Sequence, residues 1–192
     1  MVVETMTEHK VKLVEDINLP LSYRASSTNF KLYMADVGLL RRKAGLSAET
    51  ISLGGPRYIE FKGALAENYV LQQLLSLGKN PFFWRSSNQA EIDFLLEQDN
   101  QVIPLEVKAD LNTKAKSMTT FCKRYDIQYG IKLSLKNIGD HITGNTKIYS
   151  IPLYLLWKLD DWLTLEKSTE TFDFNKFADI DTLISEIKEN QS

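Results

Sequence analysis

Two adjacent segments in the middle of the chain alternate apolar and polar residues, which is the pattern of half-buried β-strands. They are residues 90–96, AEIDFLL, and residues 103–109, IPLEVKA. In a regular strand, positions 92, 94 and 96 share one face, and positions 91, 93 and 95 share the other. The polar residues 97–101 between the two segments are typical of a tight turn. The pattern therefore predicts a β-hairpin.

The register of this hairpin decides which side chains face each other. If Asp99-Asn100 form the loop, the numbers of paired residues add up to 199, so that Asp93 lies opposite Glu106 and Glu91 lies opposite Lys108. Directly opposed residues have Cβ atoms about 5 Å apart, where like charges are destabilising. A divalent cation between Asp93 and Glu106 would remove that repulsion, since Mg²⁺ is typically held by one or two carboxylates and several waters. The Glu91–Lys108 pair is equally compatible with an ordinary cross-strand ion pair.

A third carboxylate lies on the helix that is predicted to precede the hairpin. Helical periodicity extends over residues 58–77, and Gly78 follows as a C-terminal stop signal. Glu67 falls at the centre of the apolar stripe, whereas Asn68 falls on the polar side. A carboxylate in an apolar stripe is costly unless it is paired or metal-bound. Glu67 is therefore either a further metal ligand or a core glutamate that bonds to a backbone amide or to Arg85.

The order of the predicted elements indicates a mixed α/β architecture. The helix over 58–77 is followed by a strand at 81–85, the two hairpin strands, a helix at 114–125 and a strand at 129–135. The apolar face of the second helix consists of Ala115, Met118, Phe121 and Cys122. This α-β-β-β-α-β series predicts a mixed sheet flanked by helices.

The flanking segments are predicted to be N- and C-terminal additions to this core. Residues 10–14 and 30–34 alternate as short strands, and the polar residues 22–29 between them suggest a loop. Asp36 is expected to cap the N-terminus of a short helix. Residues 151–165 are amphipathic and predict one helix, with Pro152 in its first turn.

Charge is distributed unevenly along the chain. Residues 158–192 hold four basic and nine acidic side chains, a net charge of −5, and they include a predicted terminal helix over 178–190. The other 157 residues hold 19 basic and 16 acidic side chains, a net charge of +3. At 192 residues we expect one domain overall, in which residues 1–55 lead into a core over 56–157 and residues 158–192 form an acidic helical tail.

Further features of the sequence favour a cytoplasmic protein. Cys122 is the single cysteine, which excludes an internal disulfide. Residues 1–12 are polar and acidic, unlike a signal peptide. The longest apolar run, 148–157, is too short to span a bilayer, so no membrane contact is expected.

The arrangement of acidic residues and lysine resembles the restriction-endonuclease-like, PD-(D/E)XK superfamily. In that superfamily the motif aspartate and the acidic residue of (D/E)XK bind Mg²⁺, and the lysine assists the nucleophile. A glutamate on the first core helix often completes the metal site. The resemblance implies these roles, in this order, for Asp93, Glu106, Lys108 and Glu67. Ile92 stands where the proline of the motif would be.

A second resemblance covers more of the chain, about residues 11–155. It depends on five motifs, which are FKLYMADVGLL at 30–40, GALAENYV at 63–70, WRS at 84–86, EIDF at 91–94 and EVKA at 106–109. In this order they resemble the C-terminal domain of unknown function that follows an AAA-type ATPase module in many bacterial and archaeal proteins. The sequence lacks a Walker A loop, so the chain is not itself the ATPase. The resemblance implies that an AAA-type ATPase is a partner in cis or in trans, and that the chain is a fragment or a reduced version of such a protein.

These observations lead us to expect a Mg²⁺- or Mn²⁺-dependent phosphodiesterase that acts on nucleic acid, on DNA rather than RNA, and that can form oligomers. Arg85, Lys114 and Lys116 are expected to contact phosphates, although basic residues in such positions are equally typical of solvated faces. The net charge of −2 argues against non-specific DNA binding. The alternative is a catalytically inactive nuclease-like module that docks DNA or a protein partner for the ATPase.

Overall fold

The computed structural model of the chain describes residues 8–54, 56–86, 90–109 and 116–165. Lys114 and the predicted helix over 178–190 lie outside the described residues. The chain divides into two compact units, Met1–Trp157 and Lys158–Ser192.

The first unit is built on one mixed sheet of eight strands within the described residues, in the spatial order β2-β1-β3-β4-β5-β6-β8-β7. The strands are β1 (Glu8–Val14), β2 (Ala25–Met34), β3 (Phe82–Arg85), β4 (Glu91–Gln98), β5 (Gln101–Val107), β6 (Tyr129–Ser134), β7 (Gly139–Thr143) and β8 (Thr146–Pro152). The pairs β1–β3, β5–β6 and β6–β8 are parallel, and the other four pairs are antiparallel. A mixed α/β fold is therefore confirmed, whereas its assignment as a restriction-endonuclease-like core stays a prediction.

Helices connect and flank these strands. They are α1 (Leu21–Arg24), α2 (Val37–Lys43), α3 (Ala48–Ser52), α4 (Pro56–Ser76), α5 (Lys116–Tyr125), a 3₁₀ helix (Leu153–Lys158) and α6 (Leu159–Leu165). The central order α4-β3-β4-β5-α5-β6 is the predicted α-β-β-β-α-β series. Over the described ranges, no helix has both the length and the apolar composition needed to cross a membrane.

The β4–β5 hairpin has the predicted register. Gln98 pairs with Gln101, and the pairing continues to Phe94 and Leu105, always with numbers that add up to 199. The loop residues Asp99 and Asn100 have φ angles of 52° and 60°. A type I′ turn requires positive φ at both central residues. Asn and Asp tolerate positive φ better than most residues do.

Helix α4 ends where the sequence predicts. Gly78 has a φ of 71°, and the amides of Gly78 and Lys79 donate to the carbonyl oxygens of Leu75 and Leu74 at 3.0 and 2.9 Å. This is a Schellman C-cap. The predicted exposure of Asn68 is wrong, because its side chain is buried and accepts from Met34 N at 2.8 Å while donating to Met34 O at 3.1 Å. The end of β2 covers this side of the helix.

Helix α5 closes a core on one face of the sheet. Its predicted apolar side chains Met118, Phe121 and Cys122 are buried, and the Trp84 ring meets Phe121 edge to face with centroids 5.0 Å apart. Gly130 on β6 leaves room for this helix, since a Cβ atom there would lie 2.9 Å from the Met118 sulfur. The helix therefore packs directly on the backbone of β6.

Two predictions for the flanks are wrong. Residues 22–29 do not form a loop, because 22–24 belong to α1 and 25–29 begin β2, which pairs with β1 at the edge of the sheet; residues 26–29 lie where the register of this pair is irregular. An edge strand has solvent on its outer side and tolerates the polar composition that suggested a loop. Residues 151–165 are not one helix, since Ile151 and Pro152 end β8 before the 3₁₀ helix and α6 begin. The β7–β8 hairpin itself was not predicted.

Asp36 caps α2 as predicted. Its carboxylate accepts a hydrogen bond from Leu39 N at 3.1 Å.

Candidate functional site

The candidate site begins at an irregularity in β4. Along the β3–β4 pair, Phe82 lies opposite Leu95 but Trp84 lies opposite Ile92, so β4 contains one extra residue between these partners. As a result Ile92 and Leu95 both enter the core under α5, although a regular strand would place them on opposite faces. Such a β-bulge changes the direction of the side chains beside it. Asp93 lies within the bulge.

The bulge separates Asp93 from the regular β4–β5 ladder. The ladder ends at Phe94 and Leu105, one pair short of the predicted Asp93–Glu106 pair. Instead, Asp93 Oδ2 accepts a hydrogen bond from the Val107 amide at 2.7 Å. The carboxylates of Asp93 and Glu106 still interact, since Glu106 contributes to a raised pKa of Asp93.

Glu106 and Lys108 form a pair of their own on β5. Lys108 Nζ lies 2.6 Å from Glu106 Oε1, and the Glu106 side chain is only 4% exposed. The second oxygen, Oε2, is buried and has no hydrogen-bond partner among the described residues. The expected pairing of Lys108 with Glu91 is wrong, because the bulge directs the two side chains to different partners.

Glu67 reaches the same region from α4. Its Oε2 accepts a hydrogen bond from the Tyr33 hydroxyl at 2.9 Å and lies 3.4 Å from Lys31 Nζ. Both partners come from β2, where positions 31 and 33 point to the same side of the strand. The described contacts of Glu67 are therefore with β2, and none of them involves Arg85 or a backbone amide. Sequence reasoning missed Lys31 and Tyr33; their i, i+2 spacing in a predicted strand was visible, but their partner was not.

Glu91 lies between two cations. Its Oε1 is 2.5 Å from Lys31 Nζ, and its Oε2 is 2.6 and 2.7 Å from two nitrogens of Arg85. Arg85, a predicted phosphate contact, is therefore engaged with Glu91, although its side chain is 56% exposed. Lys116 is exposed at the start of α5, and Lys114 lies outside the described residues.

We call Glu67, Glu91, Asp93 and Glu106 the acidic cluster. Burial, followed by the charge of Glu67, raises the pKa of Asp93 to about 7, against the opposing effects of the Val107 amide and Lys31. Burial also raises the pKa of Tyr33, and the neighbouring Glu67 raises it further. Asp93 thus exchanges a proton near neutral pH, while Tyr33 stays a hydroxyl donor.

Lys31 and Glu91 shift each other's pKa in opposite directions. Burial alone lowers the pKa of Lys31, but Glu67, Glu91 and Asp93 outweigh it, so that the net pKa is raised. Burial alone raises the pKa of Glu91, but Lys31 and Arg85 outweigh it and the net pKa is lowered. Lys31 is therefore an ammonium and Glu91 a carboxylate at neutral pH.

The donor set fits a metal ion held by two carboxylates better than one held by three. No three His, Cys, Asp or Glu side chains of the described residues are arranged to hold a metal ion. The Lys31 ammonium stands among Glu67, Glu91 and Asp93 instead. Glu106 Oε2 is a buried acceptor without a partner, which is costly unless a cation or donor satisfies it. Together with Asp93 it would suit Mg²⁺, which accepts one or two carboxylates and keeps several waters.

Comparison with known proteins relates part of the chain to other sequences. An uncharacterized protein of Mycobacterium bovis and one of Mycobacterium tuberculosis are each 30% identical to it over 113 residues. The aligned part is 58% of this chain but 24% of each relative, so the chain spans about a quarter of the length of these curated relatives. No solved structure matches the chain. Residues 62–154, which include Glu67, Asp93, Glu106 and Lys108, match the model of the family described as Domain of unknown function (DUF4143).

Proposed function

We propose that the chain contains a divalent-metal-dependent phosphodiesterase domain of the PD-(D/E)XK type that acts on nucleic acid. The observation that supports this proposal is the convergence of Glu67 from α4, Asp93 from β4 and the Glu106–Lys108 pair from β5. Within this group, Glu106 has a buried oxygen that finds no hydrogen-bond partner among the described residues. A buried carboxylate whose pKa is raised by neighbouring carboxylates, as that of Asp93 is, marks a candidate functional site.

In this proposal Asp93 and Glu106 hold Mg²⁺ or Mn²⁺. When bound, the ion lowers the pKa of a coordinated water and offsets the charge that develops on the phosphoryl group. Lys108, fixed by Glu106, orients the attacking water and places its ammonium near the developing charge. The Val107 amide holds Asp93 Oδ2, and Oδ1, which lies 3.8 Å from Lys31 Nζ, is the oxygen that would contact the ion. Glu67 keeps its contacts with Tyr33 and Lys31 and lies at the edge of the site.

The partners follow from the two resemblances. We propose a DNA substrate, whose phosphates Lys116 and Arg85 contact from the exposed rim, and an AAA-type ATPase module in cis or in trans. Each curated relative is about four times as long as the part that aligns with this chain, which leaves room in those proteins for a further module. A cytoplasmic location and oligomer formation belong to the same proposal.

A second candidate function is a catalytically inactive module that docks DNA or a protein partner for the ATPase. The observation in its favour is Lys31, which contacts Glu67, Glu91 and Asp93 and compensates their charge without any metal ion. A cluster that is already neutralised can be a structural network. The two functions differ in whether Asp93 and Glu106 bind a divalent cation.

Calorimetric titration of Mn²⁺ separates the two functions. We expect wild-type protein to bind with micromolar to millimolar affinity, and Asp93→Asn to lose that binding because the amide removes the ligand charge. Asp140→Asn is a matched control, since Asp140 is paired with Lys147 on the β7–β8 hairpin at 3.3 Å and is not part of the acidic cluster. Loss of Mn²⁺ binding in Asp93→Asn alone supports the phosphodiesterase. Equal binding by wild type and Asp93→Asn, or none by either, contradicts it.

Nuclease activity is the second test. Labelled single- and double-stranded DNA and RNA are incubated with Mg²⁺ or Mn²⁺ and either wild-type protein or Glu106→Gln. We expect cleavage by wild type only, with DNA preferred. Equal cleavage by both proteins would contradict the assignment of Glu106.

A further inference from the structure

Lys31, on the edge strand β2, has three carboxylates within 4 Å of its ammonium. Its Nζ lies 3.4 Å from Glu67, 2.5 Å from Glu91 and 3.8 Å from Asp93. These carboxylates come from α4 and β4, which are remote in sequence from β2. The Lys31 side chain is only 18% exposed. A single ammonium thus joins three acidic side chains that are all partly shielded from solvent.

The position of Lys31 is fixed by its surroundings. The strand β2 pairs with β1 at this point, with Lys31 opposite Val11. The ammonium lies 5.3 Å from the centroid of the Phe83 ring, a favourable cation–π distance. Two residues further on, Tyr33 packs its ring 5.8 Å from Phe94 and donates its hydroxyl to Glu67. The lysine is therefore held by the Phe83 ring and by the carboxylates of Glu67, Glu91 and Asp93.

Charge explains what Lys31 does in this position. Without it, Glu67 and Asp93 would have no cation within salt-bridge distance among the described contacts, and Glu91 would keep only Arg85. In the present arrangement these three carboxylates hold the Lys31 ammonium rather than a metal ion, since no three acidic side chains of the described residues are arranged to hold one. Lys31 thus supplies the positive charge that a second ion would supply in a two-metal phosphodiesterase, in which the two ions lie about 4 Å apart.

We infer that Lys31 is the fixed second cation of this site: it holds Glu67, Glu91 and Asp93 in place of a second metal ion and restricts the site to one divalent ion, held by Asp93 and Glu106. Lys31 is thus a positioning residue. The inference rests on the proposed function, because it assumes that the site binds one divalent ion. It goes beyond that function, because it states that Lys31 limits the number of bound ions. Lys31 lies outside residues 62–154, the stretch that matches the family model.

The test is the number of Mn²⁺ ions bound, measured by calorimetry and by electron paramagnetic resonance of free Mn²⁺. We expect one ion for wild type, two for Lys31→Met, and one for Lys31→Arg, which keeps the charge. Adding Glu67→Gln to Lys31→Met should remove the second ion again, because it takes away one of its ligands. Lys147→Met controls for the loss of a lysine that pairs with a carboxylate elsewhere.

Each outcome supports or overturns the inference. The inference is overturned if Lys31→Met binds the same number of ions as wild type, or if wild type already binds two. It is also overturned if Lys31→Met binds one ion more tightly but no second ion, since that shows only an effect of charge. If wild type and every Lys31 variant bind one ion each, the proposed function stands and the role assigned to Lys31 is wrong. If wild type binds none but Lys31→Met gains one, the lysine does replace a metal ion while the proposed function is wrong; if neither binds, both are wrong. Should Lys31→Met not fold, Lys31→Gln keeps hydrogen bonds to the carboxylates and gives the same readout.

Discussion

The raised pKa of Asp93 predicts an unusual dependence of stability on pH. In the folded, metal-free protein this pKa is about 7, whereas the ordinary value for aspartate is 3.8. Between these two values the folded protein binds more protons at Asp93 than the unfolded chain does. The free energy of unfolding therefore falls as pH rises through this window and becomes independent of Asp93 about one pH unit above the folded pKa. The stabilising contribution is fully present about one pH unit below the unfolded pKa and is lost as pH rises through the folded pKa.

The size of the effect follows from the same two values. At about 1.4 kcal/mol per pH unit, the window corresponds to about 4 kcal/mol. Asp93→Asn has no proton to exchange at this position. The free energy of unfolding of wild type minus that of Asp93→Asn should therefore decrease by about 4 kcal/mol from pH 4 to pH 8 and stay constant above. Any constant cost of the amide cancels, because only the pH dependence of the difference is compared.

Urea unfolding in the presence of a chelator, followed by tryptophan fluorescence, measures this difference. Trp84 is buried and reports on the core next to β4. Glu67→Gln should make the slope smaller, since Glu67 is the largest charge that raises the pKa of Asp93. A flat difference for Asp93→Asn, or a wild type that gains stability with rising pH, would falsify the view that crowded carboxylates shift the pKa of Asp93.

Three other predictions test the site and its support. Lys108→Met should lower cleavage by about 10²–10⁴-fold while Mn²⁺ binding persists, measured by cleavage rates beside calorimetry; loss of both would make Lys108 structural. Asn68→Ala should lower the free energy of unfolding by about 1–3 kcal/mol, because two partly buried backbone groups of Met34 lose their partner; unchanged urea midpoints would contradict this. Gly130→Ala should destabilise by about 1–3 kcal/mol, since its Cβ would lie 2.9 Å from the Met118 sulfur and 3.2 Å from Pro104 Cγ. A Met118→Ala background should remove the part of that cost that comes from Met118, and an equal loss in both backgrounds would show that the Met118 contact is not the cause.

The sequence by itself determined the local elements of this protein. The ends of α4 and the turn of the β4–β5 hairpin follow from residues that tolerate positive φ, namely Gly78 and the pair Asp99-Asn100. The buried face of α5 follows from helical periodicity, because a period of 3.6 residues places Met118, Phe121 and Cys122 on one side. These features depend on neighbouring residues only, so their signals are complete within a short stretch of chain.

Only the tertiary structure decided how the acidic cluster is neutralised. The bulge at Asp93 adds one residue to β4, and no pattern in β4 alone marks it, since its effect is to let both Ile92 and Leu95 reach the core under α5. Alternation likewise placed Lys31 in a strand without indicating that β2 would bring it to Glu67 on α4. Hydrophobic periodicity reports which face of an element is buried, but pairing between strands remote in sequence sets which partner covers it. The candidate carboxylates were therefore predictable one by one, whereas the lysine among them was not.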